Sequence, residues 1–159
     1  MTHPTLRLTL LALVVALAGC GGRNGNSSTD SASASATPAL AAVSAYDSGP
    51  RAAEAPIDAA KIETGKGLFQ TKGCSACHAF GKRLSCPDLN GVTHRRTMAW
   101  MTQQILHPEI MTKSDPISHG LFAQYALQMP NQGLTPEQAA AVIEYFKHMD
   151  HEAGESPSK

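Results

Sequence analysis

Two cysteines separated by two residues and followed at once by a histidine constrain this chain more than any other feature. They are Cys74, Cys77 and His78 in the segment GCSACHAF. A structural zinc site would need two further ligands at a similar spacing, and the nearest candidates, Cys86 and His94, are irregularly placed. A thioredoxin-type redox pair would follow a buried strand, and no apolar β-branched run precedes the first cysteine. Both interpretations are weak.

The same motif fits covalent attachment of a haem. Two thiols at this spacing reach the two vinyl groups of one porphyrin and form thioethers, and the adjacent histidine is then placed to bind the iron. A bare Cys-x-x-Cys-His also arises by chance, so the remainder of the chain has to support this interpretation.

The N-terminal residues predict export. Residues 8–17 form an apolar run of signal-peptide length, too short to span a bilayer as a helix. The sequence LAGC, ending at Cys20, resembles the lipobox of bacterial lipoproteins, in which residues 1–19 are removed and Cys20 is lipidated. An ordinary secretory signal cleaved near Ala18 is the alternative. Several acyl chains give stable anchoring, so we expect a periplasmic protein held to a membrane, with Gly21 weakly favouring the outer one.

Composition divides the remainder into a tether, a folded part and a tail. Residues 20–56 are dominated by Gly, Ser, Ala, Thr, Asn and Pro, with too little apolar surface to offset the entropy of ordering. We expect a flexible tether there, a folded domain over residues 57–152 and a disordered tail over 153–159. The 13 basic and 13 acidic side chains balance, which indicates no nucleic-acid partner.

The folded part is predicted to be all-α, because helical periodicity dominates and no segment indicates a strand. Four helices are expected: 58–70, 97–106, 115–124, and one after the N-cap Thr135 with Pro136 at its first position. Gly65 inside the first helix costs about 1 kcal/mol relative to alanine. We therefore expect a close crossing with the last helix at Gly65, where Phe69 and Tyr145 meet.

Residues 58–150 resemble a class I monohaem cytochrome c domain. In the family's order they contain G-x-x-x-F, Cys-x-x-Cys-His, the stretch CPDLNG, a Met-Pro pair and a closing helix with Tyr-Phe. The resemblance implies a small fold of about four helices around one covalent haem c. It also implies a one-electron carrier that docks transiently with redox partner proteins, rather than an enzyme.

The resemblance further implies which residues surround the iron. His78 is the expected proximal ligand, with its second ring N–H donated to the carbonyl of Pro87. Met129 is the expected distal ligand. Cys86 stands where the family usually has glycine. Such a buried thiol commonly behaves as a small hydrophobe, and an intermolecular disulfide or a metal-binding role is the alternative.

Three further residues are expected at the haem propionates. The indole N–H of Trp100 needs a partner when buried, and the guanidinium group of Arg95 or Arg96 suits a carboxylate. By resemblance to the family, Trp100 or one arginine contacts the inner propionate. A solvated helix start is an equally good interpretation of the two arginines.

Alternatives to the carrier interpretation remain. Met111 competes with Met129 as the sixth ligand, and His107 or His119 would instead give a bis-histidine iron. A displaceable Met129 would suit a ligand-binding or catalytic haem protein. Copper handling, as in cytochromes that accompany copper-delivery or nitrous-oxide reductase systems, would use soft donors. The candidate donors are Cys86, His94, Met98, Met101, Met111 and His119.

Overall fold

A computed structural model describes residues 43–155 of the chain. That range contains six α-helices, two single 3₁₀ turns and no strand, which confirms the all-α prediction. The helices are α1 (Ala59–Thr71), α2 (Val92–Arg95), α3 (Met98–Leu106), α4 (Pro108–Ser114), α5 (Pro116–Tyr125) and α6 (Pro136–Glu155). The predicted signal peptide, the lipidation of Cys20 and most of the predicted tether concern residues outside the described range. Within that range, no helix combines the length and apolar character that a membrane span requires.

The four predicted helices are present, and each follows a polar capping residue. For example, the Asp58 side chain accepts the backbone N–H of Ala60 at 3.2 Å at the start of α1. Two short helices, α2 and α4, were not predicted. Pro108 was expected only to end α3, but it also occupies the first position of α4, where its missing N–H leaves no hydrogen bond unmade. Helix α6 continues to residue 155, so the tail prediction is wrong for residues 153–155.

Helices α1 and α6 cross at Gly65, as predicted. A Cβ atom on Gly65 would lie only 2.0 Å from the carbonyl oxygen of Ala141, so only a glycine permits this approach. One turn later the rings of Phe69 and Tyr145 lie 5.7 Å apart, and both also contact Phe80. The aromatic cluster joins the two helices to the loop that follows the Cys-x-x-Cys-His motif.

Buried polar side chains of α6 hold the starts of two other helices. The ammonium group of Lys147 donates to the carbonyl of Pro56 at 2.6 Å and pairs with Glu144, whose carboxylate accepts the N–H of Asp58 at 2.8 Å. These bonds fix the entry to α1. One turn further along, the buried carboxylate of Asp150 accepts N–H and hydroxyl bonds from Thr93 at 2.9 and 2.6 Å, which fixes the start of α2.

The segment 44–55, which we call the strap, packs against the helical domain. Ser44 is buried and its hydroxyl donates to the carboxylate of Asp115. Ala52 is also buried, and its N–H donates to the carbonyl of Arg96 at 3.0 Å. These residues were expected to belong to the flexible tether, and that boundary is wrong. Ala52 is its one fully buried apolar side chain in the hydrophobic core, and the other anchoring contacts are polar, so its composition gave no sign of order.

Asp47 is the main anchor within the strap. Its carboxylate accepts the backbone N–H of Thr97 at 2.8 Å, at the start of α3. It also forms ion pairs with Arg51 and Arg96, each at 3.1 Å. The strap is thereby tied to the start of α3, the helix that carries Trp100.

Candidate functional site

The Cys-x-x-Cys-His motif forms a tight turn directly after α1. Gly73 has the positive φ of 77° that lets the chain reverse there, a conformation that glycine adopts without strain. A 3₁₀ turn over Cys74–Ala76 follows, and the carbonyl of Cys74 accepts the N–H groups of Cys77 at 3.2 Å and His78 at 3.0 Å. The turn gathers both thiols and the imidazole within five residues.

The imidazole of His78 is fixed by the contact that the resemblance implied. Its Nδ1 lies 2.8 Å from the carbonyl oxygen of Pro87, so Nδ1 carries the proton and donates. Burial lowers the pKa of His78, and the bond to Pro87 offsets only part of this effect. The neutral imidazole therefore leaves the lone pair of Nε2 available as a donor to a metal.

His78 lines a cavity of about 360 Å³ at the centre of the helical domain. A second cavity, of about 270 Å³, shares part of its lining and lies between the segment 73–86 and the segment 127–132. The residues around the main cavity include Cys74, His78, Cys86, Pro87, Leu89, Val92, Arg95, Arg96, Trp100, Met101, Gln104, Ile105, Ser118, Leu121, Phe122, Tyr125, Leu127, Met129, Val142 and Phe146.

Met129 is the methionine of the predicted distal loop that reaches both cavities. Its Sδ lies 3.7 Å from the side-chain nitrogen of Gln104. The predicted competitors are elsewhere: Met111 is only 1% exposed within the hydrophobic core, and His107 and His119 are exposed. None of these three lines either cavity. The geometry therefore favours Met129 over the alternatives.

Trp100 forms part of the cavity wall, but its N–H is already used. The indole nitrogen donates to the buried carboxylate of Asp115 at 3.0 Å. The sequence did not show this acceptor, and the contact of Trp100 or one arginine with the inner propionate stays a prediction. The guanidinium group of Arg96 lies 5.1 Å from the centre of the indole ring. Arg95 donates to the carbonyl of Asn90 at 2.6 Å, and both arginines line the cavity.

The cytochrome c family profile matches residues 62–150, more than half of the chain. The chain belongs to the cytochrome c family. Members of this family are electron carriers with one covalently attached haem c, and this cytochrome shares both properties. The strap lies outside the region that the family profile matches.

Solved structures of cytochromes agree with this assignment. Cytochrome c from Rhodothermus marinus is 34% identical, with a TM-score of 0.59, and the match covers 61% of this chain and 83% of that one. An engineered form of the Rhodothermus protein, Rma TDE, is 33% identical with a TM-score of 0.58, covering 60% of this chain and 83% of that one. The cytochrome c domain of the pp3183 protein from Pseudomonas putida is 33% identical with a TM-score of 0.50, covering 57% and 91%. A search of curated protein sequences found no significant match.

The cavity of this cytochrome fits a haem c. Two thiols stand at the turn that borders it, an imidazole with a free Nε2 faces it, and a thioether reaches it from the facing segment. Imidazole and thioether are axial ligands used by cytochromes c. The remaining wall is mostly apolar, and the two arginines provide cations that suit the acidic groups of a porphyrin.

Several wall residues were not identified from the sequence. Gln104 and Ile105 line the cavity together with Trp100 and Met101. These four positions on α3 have the spacing i, i+1, i+4 and i+5, which places them on one helix face. That periodicity was available in the sequence and would have identified Gln104 as a cavity residue.

Cys86 is buried in the cavity wall beside Cys77. Its N–H donates to the carbonyl of Cys77 at 3.2 Å. Burial raises the pKa of the Cys86 thiol, so Cys86 stays protonated at neutral pH. Among the described cysteines there is no disulfide. Its position agrees with the interpretation of Cys86 as a small buried hydrophobe.

The copper interpretation gains no support from the described residues. Over residues 43–155 no group of three or more His, Cys, Asp or Glu side chains is arranged to hold a metal ion. Met101 and Met111 belong to the hydrophobic core, whereas His94 and His119 are exposed. The proposed donors therefore lie in different environments.

Proposed function

We propose that this cytochrome is an exported, lipid-anchored carrier of single electrons whose iron is bound by His78 and Met129. When bound, the haem supplies a metal that alternates between the ferric and ferrous states. The observation that carries the proposal is the pair of donors at one cavity: an imidazole whose Nδ1 proton is held by Pro87, and a thioether on the facing segment.

The two donors account for electron transfer rather than bond chemistry. With His78 and Met129 both bound to it, the iron would have no open coordination position for oxygen or peroxide. A thioether donates weakly and favours the reduced state, which raises the reduction potential. The bond from His78 to Pro87 orients the imidazole and strengthens it as a donor. These features support a carrier of single electrons.

Redox partners are proposed to dock at the apolar edge of the cavity. Phe122 and Leu127 line the cavity and are 40% and 44% exposed. Single exposed apolar side chains are common on protein surfaces, but two that border the same cavity support an interaction site there. A small patch suits transient contacts, which are typical of electron-transfer encounters.

Replacement of Met129 by alanine tests the axial ligands. Ferric haem bound by a thioether shows a weak near-infrared sulfur-to-iron charge-transfer band, and we expect Met129→Ala to remove it. Met149→Ala is the matched control, because Met149 lies on α6 and lines neither cavity. A band that persists in the Met129 variant contradicts the proposal.

Covalent attachment of the haem is tested by replacing Cys74 and Cys77 with alanine, which should leave no haem on the denatured chain.

The proposed anchor is tested separately. Cys20→Ala should move the protein from the membrane fraction to the soluble periplasmic fraction and remove fatty-acid label. A variant that stays on the membrane with its label shows that the lipid assignment is wrong. That result would not affect the haem ligands.

A further inference from the structure

Gln104 contacts the proposed distal ligand directly. It lies one helical turn after Trp100 on α3, half-buried in the cavity wall. Its side-chain nitrogen Nε2 lies 3.7 Å from the Sδ of Met129. A thioether sulfur accepts weak hydrogen bonds and cannot donate, so the amide N–H is the donor of this contact.

The amide of Gln104 is held in this orientation from its other end. The hydroxyl of Ser118, a buried residue of α5, donates to the Gln104 carbonyl oxygen at 2.7 Å. If the amide were reversed, its oxygen would face the sulfur of Met129 and two acceptors would meet. The sulfur therefore selects the orientation with the N–H directed at Met129, and the Ser118 hydroxyl, which can donate or accept, donates to the oxygen at the other end.

Ser118 is itself fixed by a buried carboxylate. Its backbone N–H donates to Oδ1 of Asp115 at 2.9 Å, and the same carboxylate accepts the indole N–H of Trp100 and the hydroxyl of Ser44. A continuous series of hydrogen bonds thus runs from the strap through Asp115 and Ser118 to Gln104. A side chain held in this way keeps one rotamer and loses little entropy when it donates.

We propose that Gln104 is a positioning residue for Met129, donating a hydrogen bond to Sδ that keeps the thioether at the metal site and tunes its strength as a ligand. This inference rests on the proposed function, in which Met129 binds the iron. A thioether sulfur has two lone pairs, so one is available to the metal and the other to the amide of Gln104. The N–H withdraws electron density from the sulfur, which favours the reduced state and raises the reduction potential. It also restrains the side chain of Met129 against displacement.

Gln104→Leu removes the donor and keeps a similar volume, and Gln103→Leu is its matched control. Gln103 is the preceding residue of α3 and lines neither cavity. In the ferric holoprotein, we expect Gln104→Leu to bind added imidazole about twofold more tightly, which corresponds to the loss of a hydrogen bond at the weak end of the usual range, because sulfur is a weak acceptor. Its reduction potential should fall, and its near-infrared charge-transfer band should shift. Gln103→Leu should match the unmodified protein in all three measurements.

Ser118→Ala provides a second route that leaves Gln104 in place. It removes the contact that orients the amide, so imidazole affinity and potential should change in the same direction by a smaller amount. If Gln104→Leu does not fold, the measurements on Ser118→Ala decide whether the inference holds. The inference is overturned if the variant that folds behaves as the Gln103→Leu control does, with the same imidazole affinity and the same potential.

Met129→Ala separates failure of the inference from failure of the proposed function. If the charge-transfer band survives in Met129→Ala, Met129 is not the ligand and the proposed function fails, together with the inference. If Met129→Ala loses the band while Gln104→Leu and Ser118→Ala match the control, the ligand assignment stands. In that case only the role of Gln104 is overturned.

Discussion

The crossing of α1 and α6 allows a quantitative prediction for Gly65→Ala. The added Cβ would lie 2.0 Å from the carbonyl oxygen of Ala141, 2.6 Å from its carbonyl carbon and 3.0 Å from the Cβ of Tyr145. Favourable contacts between heavy atoms begin at about 3.5 Å. The nearest atoms belong to the α6 backbone and cannot rotate away, so the two helices would have to separate by more than about 1 Å.

The expected size of the effect follows from two opposing contributions. Overpacking a well-packed core costs about 1–3 kcal/mol, and the upper end applies here because α1 and α6 form the most extensive helix pair in the described domain. Alanine in place of glycine stabilises a helix interior by about 1 kcal/mol. We therefore expect Gly65→Ala to lower the free energy of unfolding by about 2 kcal/mol in total.

Gly67 on the same helix provides the control. A Cβ at Gly67 would meet nothing within 4 Å, so Gly67→Ala should raise the free energy of unfolding by about 1 kcal/mol through helix propensity alone. Urea unfolding of both holoproteins, followed by far-ultraviolet circular dichroism, measures the difference of about 3 kcal/mol. If Gly65→Ala is as stable as Gly67→Ala, the close crossing is not a constraint on this fold.

Two further predictions concern the strap and its buried acceptor. Burial alone would raise the pKa of Asp115, but hydrogen bonds from Ser44 and three other donors outweigh it and lower the pKa below its usual value of 3.8. The stability from this carboxylate is therefore present above pH 3.8 and lost as the pH falls through the lower folded value. Asp115→Asn should lower the free energy of unfolding by about 2 kcal/mol at neutral pH and by less in acid. Urea unfolding of both proteins over a pH series measures this difference, and a difference that does not change with pH would contradict the reasoning. Asp47→Ala should release the strap and speed tryptic cleavage after Arg51 several-fold, while an unchanged rate would show that other contacts hold the strap.

The helices were predictable because their signals are local. The helices α1, α3, α5 and α6 begin after the residues Asp58, Thr97, Asp115 and Thr135, whose side chains accept backbone N–H groups close by in the chain. The crossing at Gly65 was also predictable, because a glycine within a helix costs stability relative to alanine and a close helix contact explains its presence. The helix α4 was missed because Pro108 indicates the end of one helix and the start of the next equally well.

The strap was not predictable because its partners are distant in sequence. Ser44 bonds to Asp115, 71 residues away, and Asp47 bonds to Thr97, 50 residues away. Each contact joins ordinary polar residues that would suit a solvated segment equally well. Composition measures how much apolar surface a segment can bury, and it is insensitive to a segment that docks through hydrogen bonds and ion pairs.

At the haem site, too, contacts between nearby residues were predictable and contacts between distant residues were not. The bond between His78 and Pro87 was expected because it spans nine residues and belongs to a recurrent motif. The partner of the Trp100 indole N–H was missed for a complementary reason. Asp115 was placed correctly at the start of α5, but a capping carboxylate has further lone pairs, and one of them accepts the indole N–H. The sequence named both residues and did not show that they meet.

Asp115 joins the strap and the cavity wall into one folded unit. Its Oδ2 accepts from Ser44 of the strap, and its Oδ1 accepts from Trp100 and from the backbone of Ser118. A carboxylate is planar and rigid, so its orientation has to satisfy both groups of donors together. It is buried without a cation within ion-pairing distance in the described structure, so these neutral donors alone stabilise its charge. Withdrawal of Ser44 would therefore weaken the stabilisation of the same carboxylate that fixes Trp100 and Ser118. The segment leading to the proposed membrane anchor is in this way connected through hydrogen bonds to Gln104, the proposed positioning residue for Met129.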